Sequence, residues 1–449
     1  MAFTATATGI AAGIGSRSSG ATPGEILPFA ASSIPSSHQP IVIAVGEASH
    51  GGEAMLSARN HLIHELAEQG RISIIALETG YAEALLLDRY VRGGPGTASE
   101  VAAKGFTSGF GNLAGNVALL EDLRAVNAHK PADKKIGIVG IDLSLGGPFG
   151  SAPMMAPVEC ALDGVQDVAL RESLRANFSK AVIPGLTQPE VSDEAKAAFH
   201  ELSGKLSASI RKDAPEYVRE CAGSVAESAA VLDALPTLPG DHGIPADAWR
   251  SMNQRDAAMA ANVLNVLSHA QGESVLLFAH TSHILNAPMR GGRFSGQQHP
   301  PQSMGSVLHR SLGSRYLAIA QIEPVVPPPA GAPPDLFALL HPACSEPCMI
   351  GASGIQVYEV RAGINGNDEE MIDPATAASF YLILPESIKR TYGSRPQVAS
   401  RTPKRFSPWA FTGSAYSLSM SAQSPSRSFT AASRTGDGTA GRGVRGGVG

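Results

Sequence analysis

Residues 41–50 read IVIAVGEASH, and the reading of this stretch decides the fold. The apolar run at 41–46 is mostly β-branched, as in a strand buried on both faces inside a parallel sheet. It ends at Gly46, which is expected to let the backbone turn, and Glu47 and His50 follow at once. Packing gives no reason for a carboxylate and an imidazole at that point. The carboxyl ends of parallel strands are where α/β folds bind ligands, so chemistry is expected here first.

Outward from this strand, short continuous apolar runs alternate with stretches of helical period. Residues 53–69 carry Met55, Leu56, Leu62, Ile63 and Leu66 at helical spacing and close on Gly70. A second strand, 72–78, ends in Glu78. A helix over 80–92 stops at the GGPG turn of 93–96, another is expected at about 113–128, and a third strand, 135–142, ends in Asp142. From about 158 to 270 the pattern is helical and proline-punctuated, which predicts a lobe inserted between strands. Its last helix, 248–270, holds Arg255 and Asp256. A fourth strand, 274–280, ends in His280, with His283 three residues on. A short helix at about 303–312 and a strand over 316–323 complete the pattern.

The fold class is therefore α/β: a central, mostly parallel sheet flanked by helices, with the inserted helical lobe covering the crevice. Residues 1–40 read as a loose lead-in and 41–323 as the catalytic domain. Residues 324–388 read as a Pro-rich linker and C-terminal extension, in which GIQVYEVR and ASFYLILP are expected to form a last strand pair. Residues 389–449 read as a basic low-complexity tail.

Composition narrows the function classes. With 43% hydrophobic residues and mean hydropathy near zero, the 449-residue chain reads as globular, and no apolar run is long enough to span a bilayer. The N-terminus has no basic segment ahead of its weak apolar stretch, so the expected location is cytoplasmic. The four scattered cysteines are expected to be reduced thiols there. The net charge is −5; ten Lys/Arg against one Asp give residues 389–449 a charge of +9, leaving −14 on the rest. Such a tail is expected to be solvated, so neither nucleic acid nor membrane is the expected partner. No G-x-S-x-G or Walker A pattern occurs. His61 and His64, three apart on the first helix, are expected to be surface histidines.

Four strands thus end in Glu47/His50, Glu78, Asp142 and His280/His283, and a parallel sheet would align those ends along one crevice. Any one of them has a plain structural explanation, Asp142 as a helix N-cap for instance. Glu and His, however, are poor N-caps, and their recurrence points to acid–base chemistry on water. In this reading one histidine takes the proton, a nearby carboxylate fixes its tautomer, and a second histidine opposite protonates a leaving alkoxide or steadies an oxyanion. Arg59 would supply a fixed positive charge, although an exposed helix face is its ordinary setting.

These residues resemble the erythromycin esterase family. The motifs are G-E-x-x-H-G (Gly46, Glu47, His50, Gly51), Arg59, A-L-E ending at Glu78, G-I-D ending at Asp142, R-D-x-x-M (Arg255, Asp256, Met259) and A-H-x-x-H (His280, His283), in that order over about 41–323. Tyr90 before a glycine pair, Arg124 with Asn127, and Met304, Gly305 and Leu308 agree as well. Where the family often has a tryptophan, this chain reads GFGNLAGNV at 109–117. The resemblance implies hydrolysis of a carboxylic ester, a macrolactone ring, by an activated water without a covalent serine intermediate and without a cofactor. It implies His50 as general base, with Glu47, Arg59, Glu78, His280 and His283 lining the cleft and Asp142, Arg255 and Asp256 as substrate-binding residues. The expected partner is a small-molecule ester or lactone. An alternative is a metallohydrolase holding a divalent metal through Glu47, His50, Glu78 and His280, although no H-E-x-x-H helix is present. A non-catalytic scaffold retaining the fold is a third reading.

Overall fold

In the computed structural model the stretch at 41–50 forms a strand, Val42–Glu47, with every residue buried. The structure describes residues 25–36, 41–144, 155–181, 192–234, 249–270, 272–291, 301–323, 335–355, 360–362, 364 and 370–384. The Pro-rich run 324–334 and the tail 389–449 lie outside the described residues.

The strands in chain order are β1 (Ile26–Pro28), β2 (Val42–Glu47), β3 (Ile72–Gly80), β4 (Gly137–Asp142), β5 (Ser274–His280), β6 (Arg290–Gly291), β7 (Tyr316–Gln321), β8 (Cys348–Gly351), β9 (Val360–Arg361), β10 (Glu370–Ile372) and β11 (Phe380–Ile383). The main sheet runs β1-β8-β11-β7-β2-β5-β3-β4. From β11 to β4 every pairing is parallel, and β8 and β1 add antiparallel strands at one edge. β2 lies at the centre, between β5 and β7, which is why its residues are apolar on both faces.

Alternate residues of these strands feed two cores. Ile43, Val45, Leu276, Phe278 and Ile319 pack with α1 (Glu53–Glu68), α2 (Tyr81–Val91), α3 (Ala98–Gly105) and α4 (Ala114–Ala128). Val42, Ala44, Leu277 and Ala318 pack on the opposite face. The inserted lobe comprises α5 (Met155–Leu162), α6 (Val168–Ala181), α7 (Asp193–Ser209) and α8 (Glu216–Asp233), followed by α9 (Trp249–Ser268). It has its own core, where Phe178 meets Phe199 edge-on with centroids 5.5 Å apart, and Ala82, Leu143 and Ala258 join it to the body.

Four expectations are corrected. Residues 26–28, in the supposed lead-in, pair with β8, because an antiparallel edge leaves room for a strand from the N-terminus. The extension holds β8 and β11, which are integral to the sheet, and the described end of GIQVYEVR, β9, pairs with β10 in a separate three-stranded sheet with β6 rather than with ASFYLILP. Gly46 is not a turn residue. It stays in β2, where a Cβ would lie 2.6 Å from Thr281 Oγ1 and 2.8 Å from Thr281 Cα, and the left-handed turn falls to Gly51 at φ +85°. The cysteines are paired rather than reduced: Cys160–Cys221 joins α5 to α8 with Cα atoms 5.9 Å apart, and Cys344–Cys348 closes the turn into β8. Sequence spacing could not show the first pair, since only the packing of α5 on α8 brings its cysteines together across 61 residues. Residues 106–116 form one wall of the crevice.

Candidate active site

The strand ends converge as their order required. The ring centroids of His50 and His280 are 4.7 Å apart, and those of His280 and His283 6.4 Å. Glu47 closes β2, and the turn after it returns the His50 ring to the same carboxylate. His50 Nδ1–H donates to Glu47 Oε1 at 2.6 Å, which leaves Nε2 free of the pair. The other oxygen, Glu47 Oε2, is buried without a partner among the described residues. Burial alone would lower the His50 pKa. The bond to Glu47 and then the charges of Glu78 and Glu47 outweigh burial and the opposing His283, so it lies above the ordinary 6.5.

His50 faces a cleft lined by Glu47, Arg59, Glu78, Phe106, Phe110, Asn116 and Phe278 among others. Its ring lies 4.9 Å from that of Phe110. Glu53 holds this wall in place: its two oxygens accept from Ala114 and Gly115 N–H, both at 2.9 Å, at the start of α4. Arg59 belongs to the same support. It is fully buried, 4.3 Å over the Phe278 ring, and donates to Asn60 Oδ1, Gly115 O and Asn116 Oδ1. Asn116 in turn donates to Phe110 O at 3.0 Å. Arg59 is therefore no exposed helix-face arginine. Burial pulls its pKa down to about 10 against the charges of Glu47 and Glu53, so it stays cationic near neutrality.

His280 differs from the role expected of it. Its Nδ1 accepts from Ser282 N–H at 3.2 Å and lies 2.7 Å from Ser282 Oγ, so the side chain caps the short helix Thr281–Ile284. Its Nε2–H then donates to Ala48 O at 3.0 Å. Burial and the His50 charge push its pKa down to about 3. With both nitrogens engaged and the ring neutral, His280 braces backbone rather than carrying a proton. Among the described residues no group of three or more His, Cys, Asp or Glu that could hold a metal ion is present.

His283 Nδ1–H donates to Asp256 Oδ1 at 2.8 Å, and its Nε2 lies 3.4 Å from Glu78 Oε1. Burial is outweighed by Asp256 and Glu78, and its pKa is raised. Glu78 accepts from Arg255 Nη2 at 2.9 Å and from His280 N–H at 2.7 Å. Burial would raise its pKa, but His283, His50 and Arg255 hold it far below the usual carboxylate range. Arg255 also grips Asp142 through Nε (2.8 Å) and Nη2 (2.6 Å). Asp142, Arg255 and Asp256, expected to bind substrate, line no part of the cleft and instead brace Glu78 and His283. Asp142 is not an N-cap of a described helix; besides Arg255 its Oδ1 accepts from Leu143 N–H. His61 and His64 pair with separate surface carboxylates, Glu65 and Asp122.

Sequence reading missed the aromatic wall and the end of β7. Phe106, Phe110 and Phe278 look like ordinary core residues in sequence, and residues 109–117 stood out only for lacking a tryptophan. Gln321 Oε1 accepts from Ala48 N–H at 2.7 Å, and Ser49 Oγ donates to Glu323 Oε1. The signal was present, since 316–323 is a fifth strand ending in polar residues, Gln321 and Glu323.

A parallel-sheet α/β protein with a His–Glu pair at the mouth of an apolar cleft is the class that fold and site define. The sequence profile described as erythromycin esterase matches residues 67–322, more than half of the chain, and the chain belongs to that family. The match begins after Glu47, His50 and Arg59. No curated protein matches. Among solved structures, a Bacillus cereus protein is 16% identical with a TM-score of 0.59, the alignment covering 81% of this chain and 94% of that one. A succinoglycan biosynthesis protein is 14% identical at TM-score 0.59, with coverages of 82% and 94%. A histidine-to-asparagine mutant of erythromycin esterase EreC in its open conformation is 16% identical at TM-score 0.54, with coverages of 77% and 90%. At these identities the likeness is one of fold. No helix among the described residues is long and apolar enough to cross a membrane.

Proposed function

We propose that this protein hydrolyses a carboxylic ester, with a macrolactone as the substrate its family points to, by a water activated at His50. The observation that carries this reading is the 2.6 Å bond from His50 Nδ1 to Glu47, which leaves the other ring nitrogen for the cleft. Glu47 fixes the tautomer and stabilises the imidazolium formed when the water gives up its proton. Arg59 is a fixed cation behind the cleft wall whose field would favour a developing oxyanion. Phe106, Phe110 and Phe278 offer apolar surface for the hydrocarbon part of the substrate. His280 and His283 hold the backbone and carboxylates around the pair. The domain at 41–323 carries these groups, with β8 and β11 completing its sheet.

The test is mass spectrometry of the purified protein incubated with macrolides of different ring size and then with a wider lactone panel. A mass gain of one water is expected. His50→Ala should lower turnover about 10²–10⁴-fold with little change in melting temperature, and full activity in that variant would overturn the assignment.

A further inference from the structure

Glu47 and His50 are joined by a tight turn, and the geometry of their pair depends on how that turn is fixed. Two bonds grip its first residue, Ala48, from the two strands flanking β2. His280 on β5 holds the carbonyl at 3.0 Å, and Gln321 on β7 holds the N–H at 2.7 Å. Gln321 is itself fixed: it is 1% exposed, and its own carbonyl accepts from Thr281 Oγ1 at 3.0 Å. The register Gly46↔Ala320 places Glu47 and Gln321 next along adjacent parallel strands. Their side chains therefore share a sheet face, continuing Val45 and Ile319. Glu47 Oε2 and Gln321 Nε2 are both buried without partners among the described residues, one an acceptor and the other a donor. A glutamine that only filled space here could be an apolar residue without loss.

We propose that Gln321 is a positioning residue of this site, holding the Ala48 N–H so that the turn presents His50 to Glu47 in bonding geometry. This rests on the reading of Glu47 and His50 as the working pair. The ionisable groups facing His50 are Glu47 from β2, Glu78 from β3, and His280 and His283 from the end of β5 and the helix after it.

The experiment follows the His50 ring by NMR in full-length protein labelled at histidine, assigned with His50→Asn, and measures kcat and KM on whichever ester is turned over. Gln321→Met removes the acceptor. The His50 titration midpoint should fall as the bond to Glu47 loosens, and kcat should drop roughly 10–100-fold with KM nearly unchanged. Gln321→Glu restores an acceptor and adds a negative charge, so the midpoint should rise above that of the parent. A Gln321→Met protein with a lower melting temperature but an unshifted midpoint would overturn the proposal. If Gln321→Met does not fold, Gln321→Asn, too short to reach Ala48 N, gives the same reading. The titration needs no substrate, so failure here is distinct from failure of the esterase reading, which His50→Ala tests.

Discussion

Replacing Arg255 by Met would test the buried ionic network most directly. One guanidinium makes three charged bonds of 2.6–2.9 Å, two to Asp142 and one to Glu78. Its removal leaves Asp142 and Glu78 buried without their shared cation, a change that costs about 3–5 kcal/mol for a fully enclosed pair, while Glu78 keeps His283 and the His280 N–H. The Arg255 side chain is 21% exposed, and water can repay part of that, which puts the expectation near 3 kcal/mol. With a urea slope of about 3 kcal/mol/M, the unfolding midpoint at pH 7.5 should fall by about 1 M. The sign with pH follows from Glu78. In the parent its folded pKa is depressed, so its contribution is present above the unfolded value near 4.5 and fades as pH falls below it. Without Arg255 the Glu78 pKa rises, still held down by His283 and His50, so less of its ionisation stabilises the fold above the unfolded value. The deficit of Arg255→Met should therefore be larger at pH 7.5 than at pH 3. A loss below about 1 kcal/mol, or an equal loss at both pH values, would refute the reasoning.

Other outcomes follow from the same geometry. With His50 as the proposed base and its pKa above 6.5, kcat/KM should fall on the acid side with a midpoint above that value; Glu47→Gln should move that limb to lower pH, seen in pH–rate profiles. Gly46→Ala should destabilise by roughly 1–3 kcal/mol in thermal or urea unfolding, because the new methyl meets the Thr281 backbone rather than a yielding side chain. Preincubation with a strong chelator should leave the rate unchanged, since both His280 nitrogens are occupied by protein; a loss reversed by added divalent metal would select the metallohydrolase instead. Phe110→Ala should raise KM several-fold on apolar esters by opening the wall beside His50, as measured in steady-state kinetics.

The sequence alone determined the order of elements and the polar residues at the ends of four strands. Residue type, continuous apolar runs and the helical period are local properties, and parallel pairing then aligned the strand ends without further information. Tertiary structure decided which of those residues work and which hold others. In sequence, His280 and His50 look alike, each a histidine after an apolar strand. Only the arrival of Ser282 N and Ala48 O at the two nitrogens of His280 makes it a brace. Arg59 reads as a surface residue until α4 and Phe278 enclose it. The pairing of Cys160 with Cys221, the aromatic wall at 106–116 and the hold of Gln321 on Ala48 all join segments distant in sequence. Such contacts depend on how helices and strands pack in three dimensions, and no local pattern records that.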